Sequence, residues 1–189
     1  MTGALRALTV LGLFAGGVLG MAGSIVAAQN VRAVCWAIDS TGLIVATAIL
    51  ALSYLRAGKI EVAAGFLVYA IGEGIMLTGT PMSLEGSVPS FAAGTALWAA
   101  GLALVSVPRE FTLVTRLTGL VASVLFGVVS LRIFWGDTLT PIARPLPMFA
   151  YPALVITFIG WIWTIVRHGA ELGAAEASEQ SRHAPVVIR

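Results

Sequence analysis

Four charged side chains sit inside stretches that are otherwise apolar: Asp39, Glu73, Arg116 and, nearer a segment end, Arg132. A charge at membrane depth is costly, so such a residue is read first as functional and its partner is sought. Asp39 lies five residues into the second apolar segment, and Glu73 lies about five residues before the end of the third. The short Leu55–Lys59 link makes those two segments antiparallel, which brings both carboxylates to similar depth near the same face of the bilayer. Arg32 and Arg132 are expected on that side, with side chains long enough to reach them. Glu73 shares a helix face with Gly65, Tyr69, Gly72 and Met76. Two acids close together at low dielectric, beside a tyrosine, are suited to holding a proton or a cation. The same residues also fit an ion-paired latch that fixes helix register, because buried charges pair simply to limit desolvation. A second pair, between Glu61 and Arg116, is geometrically open at the opposite end.

Other chemistries lack their residues. No Walker-type phosphate loop, HExxH, GxSxG or C-x-x-C occurs. The two histidines, His168 and His183, both lie at the C-terminal end, so no base stands beside Ser40 or Thr41 and no bis-histidine haem is expected. Met21, Met76, Met82, Met148 and Cys35 map to one half of the membrane, but no Met-x-x-x-Met spacing supports a copper(I) site. No catalytic residue, metal or cofactor is therefore assigned.

The elements that must position these charges follow from composition. Of 189 residues, 58% are hydrophobic and 11% charged, far from the near-half apolar and quarter charged make-up of a soluble domain. This excludes a water-soluble enzyme and a disordered chain. Six apolar segments can each cross roughly 30 Å of hydrocarbon as a helix: Ala7–Gln29, Val34–Tyr54, Ile60–Thr78, Phe91–Val107, Phe111–Phe134 and Met148–Val166. The fold class expected is an all-α, polytopic, six-transmembrane-helix bundle over residues 1–167. A polar tail over residues 168–189 is expected to fray. Pro152 falls inside the sixth segment and should kink it.

Basic residues give an orientation. Arg6, Arg56, Lys59, Arg109, Arg167, Arg182 and Arg189 collect on one side, and only Arg32, Arg132 and Arg144 on the other. The positive-inside rule then puts both termini in the cytoplasm, in a membrane of the bacterial cytoplasmic type. Trp36 and Trp135 would mark the outer interface, with Tyr54, Trp161 and Trp163 at the inner one. The links Gly79–Ser90 and Trp135–Pro147 would emerge on the side of Asp39 and Glu73. Arg6 followed by an apolar run ending in Val26-Ala27-Ala28 resembles a signal peptide, but the run is longer than most such cores, which favours a retained helix.

Two small-residue faces bear on packing. Gly12, Gly16, Gly20 and Gly23 recur at helical spacing, a face on which another helix backbone can approach closely. Packing within the bundle and a dimer face both fit it. Thr112, Arg116, Gly119, Ser123, Gly127 and Ser130 form a polar stripe on the fifth segment, and with the third segment it is expected to line the bundle centre. Two functions remain open on these grounds. One is the binding or passage of a small solute, cation or proton through an outward-facing cavity near Asp39, Glu73, Tyr69, Arg32 and Arg132. The other is a non-catalytic accessory or assembly subunit of a larger membrane complex. The partners implied are membrane lipid and a homo-oligomer or larger complex. No run of Lys and Arg supports nucleic-acid binding.

Overall fold

An apolar run surrounded by hydrocarbon must satisfy its backbone N–H and C=O groups internally, and the α-helix does so within one segment. The computed structural model describes the backbone of residues 1–182 and the side chains of residues 1–167. Its six helices are α1 (Gly3–Ile25), α2 (Gln29–Arg56), α3 (Ile60–Gly79), α4 (Val88–Ser106), α5 (Leu113–Phe134) and α6 (Ala150–Arg182). Each is long and apolar enough to span a membrane, α6 through its Ala150–Arg167 part. Leu11, Phe14, Leu131 and Phe134 are more than 60% exposed on the outside of the bundle, the surface that lipid covers. The protein is an all-α, multi-pass integral membrane protein. The tail expected to fray over residues 168–189 instead continues α6 as helix to Arg182; residues 183–189 and the side chains from His168 onward lie outside the described residues.

Two boundaries differ instructively from the apolar runs. α2 starts at Gln29 rather than Val34, because Gln29, Asn30 and Arg32 continue the helix beyond its apolar part. α6 starts at Ala150, so Pro152 is its third residue. In the first turn the missing proline N–H would have had no intrahelical acceptor, so Pro152 begins the helix instead of kinking it.

The helices form a ring in chain order. Each packs on its predecessor and successor, and α6 returns to α1. Among the described residues α3 and α5 do not touch, because α4 stands between them. The expectation that α3 and α5 line the bundle centre holds for α3, whose Phe66, Tyr69 and Glu73 are buried there, and is corrected for the polar residues of α5. The polar stripe of α5 faces α4 rather than the centre. Ser123 Oγ donates to the Ala99 carbonyl at 2.7 Å and Ser130 Oγ to the Ala92 carbonyl at 3.0 Å.

Glycines set the closest approaches. A Cβ at Gly12 would collide with the Gly42 carbonyl of α2, and one at Gly16 with Leu43. Gly20 faces the Asp39 carboxylate and Gly23 the Trp36 ring. The glycine face of α1 is therefore filled by α2 of the same chain, which is the packing reading of that motif. α3 and α4 meet in the same way, with Gly65 against Gly101 and Gly72 against Gly94. Lys59 Nζ lies 2.7 Å from Glu110 Oε1, tying the α2–α3 and α4–α5 links together.

Aromatic side chains fill the ring. Phe66 meets Trp161 edge-on at 4.9 Å between centroids, Tyr69 stacks on Trp98 at 5.5 Å, and Trp98 meets Phe126 edge-on at 5.0 Å. Trp161 is only 1% exposed, so it belongs to this core and not to an interfacial belt. Trp135 and Trp163, at 94% and 62%, do point outward.

Gly12→Ala should lower stability by about 1–3 kcal/mol, because the Gly42 backbone cannot move aside as a side chain could. Gly17→Ala, whose nearest atoms would lie 3.8 Å away, should change stability by less than about 0.5 kcal/mol. Thermal unfolding of the two purified variants in one detergent checks the contrast.

Candidate functional site

At one end of the ring, the end bearing the α1–α2, α3–α4 and α5–α6 links, the aromatic core stops short and leaves a cavity. Its volume is about 70 Å3, room for several water-sized groups. α1 contributes Gly16, Gly20 and Met21, α2 contributes Trp36, Asp39 and Ser40, and α3 contributes Glu73 and Met76. Phe91 and Trp98 of α4 and Tyr151 and Phe158 of α6 complete the wall. Thr80, Ser87 and Pro141 stand at the level of the links, so both long connections border the opening.

Asp39 is the eleventh residue of α2 and Glu73 the seventh from the end of α3. At 1.5 Å per residue they lie about 15 and 9 Å from the helix ends nearest the cavity mouth. The longer α2 thus carries Asp39 deeper than the apolar run alone suggested. The two carboxylates are close enough to act on each other electrostatically. Glu73 is 1% exposed and Asp39 8%. Both Glu73 oxygens and Asp39 Oδ1 are buried without a hydrogen-bond partner. The hydroxyls of Ser40 and Tyr69 flank Glu73, yet neither closes to hydrogen-bonding geometry. Tyr69 OH and Trp98 Nε1 are likewise buried and unpartnered. Tyr151 differs: its hydroxyl donates to the Pro141 carbonyl at 2.9 Å, which anchors the α5–α6 link to the cavity wall.

The two arginines expected beside these acids are engaged elsewhere. Arg132 Nε lies 2.6 Å from Asp137 Oδ2, an exposed local pair at the end of α5. Arg32 donates from Nη2 to the carbonyls of Val26 at 2.7 Å and Ala27 at 3.3 Å. Its guanidinium lies 5.9 Å from the centre of the Trp36 ring. Both cations found acceptors a few residues away, where reaching inward would have meant desolvating a long, strongly hydrated side chain. Among the described residues no Lys or Arg lines the cavity. Arg32 still touches the site indirectly, through Trp36, whose Nε1 donates to the Gly20 carbonyl at 3.3 Å.

The inner pair is also corrected. Arg116 Nε donates to the Ser106 carbonyl at 2.9 Å and Nη2 to the Val107 carbonyl at 2.8 Å. It caps the C-terminal end of α4, where orphan carbonyls and the negative end of the helix dipole favour a cation. Glu61 is exposed and forms no ion pair with it. Among the described residues, no group of three or more His, Cys, Asp or Glu side chains comes together.

Sequence reasoning brought Asp39, Glu73 and Tyr69 to one region and missed Trp36, Trp98 and Tyr151 as cavity walls. Trp98 carried a signal: a tryptophan in the middle of an apolar segment cannot belong to an interfacial belt, so its ring is expected inside the bundle.

Fold and site together define a six-helix integral membrane protein with an acidic, aromatic-walled cavity at one end. No protein-family model matches the chain, and neither a curated protein nor a solved structure does.

Arg116→Ala should cost about 1–2 kcal/mol of stability through lost capping, whereas exchanging the charges in Glu61→Arg with Arg116→Glu should not rescue it. Recovery of the parent melting temperature in the double variant would restore the pair instead.

Proposed function

We propose that this protein takes up a small cation or a proton into an outward-facing cavity, with Asp39 and Glu73 as the groups that carry the compensating charge. The single observation behind this reading is that three carboxylate oxygens are buried at the cavity without a partner. A latch would spend its carboxylates on protein donors, since an unpaired buried charge is strongly unfavourable. Here the donors are left to come from outside. The positive-inside rule puts the cavity mouth on the external face, with both termini in the cytoplasm of a bacterial-type membrane. The aromatic column below Glu73 makes the cavity a blind one, so passage onward needs Tyr69, Trp98 and Phe158 to move.

An accessory role resting on the glycine face of α1 loses its surface, because α2 occupies that face. Lipid remains the partner of the exposed apolar shell.

Glu73→Gln separates the two roles of the acid. As a ligand-free binding group it should melt no lower than the parent, while cation or proton uptake in reconstituted vesicles falls at least about tenfold. A drop of about 3 kcal/mol or more with uptake unchanged is the signature of a broken structural pair.

A further inference from the structure

The cavity offers more than charge. Its unmet hydrogen-bonding capacity can be counted atom by atom, and its walls are mostly apolar. Three carboxylate oxygens, Glu73 Oε1 and Oε2 and Asp39 Oδ1, are buried acceptors with no donor. Around them stand Trp36, Phe91, Trp98, Tyr151 and Phe158. From this we infer that the ligand is a primary organic ammonium with an apolar or aromatic body, bound by Asp39 and Glu73 and exchanged for a proton. The inference rests on the cation-site reading above and names its ligand class.

Three arguments carry it. A primary ammonium has three N–H donors, one for each orphaned oxygen, whereas a quaternary ammonium has none. An inorganic ion would leave the apolar walls of the cavity unused. Aromatic faces beside the acids attract a cation further and cover the hydrocarbon part of an amine. An anion finds no positive side chain among the cavity-lining residues.

Charge balance couples binding to a proton. A proton kept on the fourth oxygen, Asp39 Oδ2, leaves the pair with one negative charge, which one ammonium neutralises. For each ammonium that enters, one proton leaves, because no lysine or arginine lines the site to supply another cation. No covalent bond is made or broken apart from those to that proton.

The test uses the full chain, purified in detergent and in nanodiscs, with 2-phenylethylammonium as probe. Its N,N,N-trimethyl analogue, the neutral 2-phenylethanol and sodium chloride serve as comparisons. Fluorescence of the cavity tryptophans reads binding, and a weakly buffered solution reads proton release. Saturable binding of the primary ammonium is expected, at least about tenfold tighter than that of the trimethyl analogue or the alcohol, with about one proton released. Asp39→Asn and Glu73→Gln should each weaken it at least about tenfold. A hydrophobic carbodiimide, which adds to buried carboxyl groups, keeps the test independent of folding in the variants. Mass spectrometry should find Glu73 labelled in the unaltered protein and protected by the primary ammonium. Equal affinity for the trimethyl compound, binding without proton release, or undiminished labelling overturns the inference. Sodium or proton binding that depends on Glu73, with no amine binding, overturns it while leaving the cation-site reading intact. If neither amine, sodium nor proton binding depends on Glu73, both fall.

Discussion

Helices in hydrocarbon gain little from burying apolar surface, since lipid is as apolar as their side chains. What holds them is close packing and a few interhelical hydrogen bonds. In this bundle the close packing rests on glycine. Gly12 lies against Gly42, Gly65 against Gly101, and Gly72 against Gly94, each pair bringing one helix backbone onto another. Those contacts fix α1 on α2 and α3 on α4, while the hydroxyls of Ser123 and Ser130 bind α5 to the backbone of α4. Large rings that would have prevented such approaches are displaced to the centre, where Phe66, Tyr69, Trp98, Phe126 and Trp161 interlock. Glycine seams on the helix flanks and aromatic residues inside are two sides of one arrangement.

That arrangement leaves Asp39 and Glu73 in a difficult place. Gly20 opens room for the Asp39 carboxylate on α1, and the stacked Tyr69 and Trp98 rings close the space below Glu73. Nothing in the packing supplies them with a cation. Arg32 bonds the Val26 and Ala27 carbonyls through Nη2 while its Nε stays buried without a partner, Arg132 pairs with Asp137, and Arg116 is committed to the carbonyls of α4 at the far side. A buried polar cluster without partners is expensive, and such expense is tolerated at sites where a ligand makes up the deficit.

Much of this was legible in the residues. Six apolar runs announced six helices, because length and hydropathy are what hydrocarbon selects. The short Leu55–Lys59 link made Asp39 and Glu73 neighbours, since an antiparallel turn leaves few other arrangements. The ring order was not legible: polar stripes on α3 and α5 pointed to a shared centre, yet small and hydroxylated residues served helix–helix seams on either side of α4. The arginine contacts were misread because a long flexible side chain takes the nearest acceptor, and backbone carbonyls leave no mark in a sequence. Pro152 depended on where α6 begins, a boundary that hydropathy locates only to within a few residues. The cavity walls escaped because rings from three different helices, α2, α4 and α6, reach the same space.

The closure of the ring by the first and last helices has a consequence for biosynthesis. As the chain emerges from the ribosome, each helix after the first finds its packing partner already in the bilayer, since that partner immediately precedes it. Only the seam between α1 and α6 must wait for the end of synthesis. Gly16, Gly20 and Met21 come first and Tyr151 and Phe158 come last, yet they are walls of one chamber. Until α6 arrives, the side of Asp39 and Glu73 that faces the seam is open to lipid. A nascent chain stalled before α6 therefore displays two acids to the membrane interior. That exposure ends when α6 closes the ring.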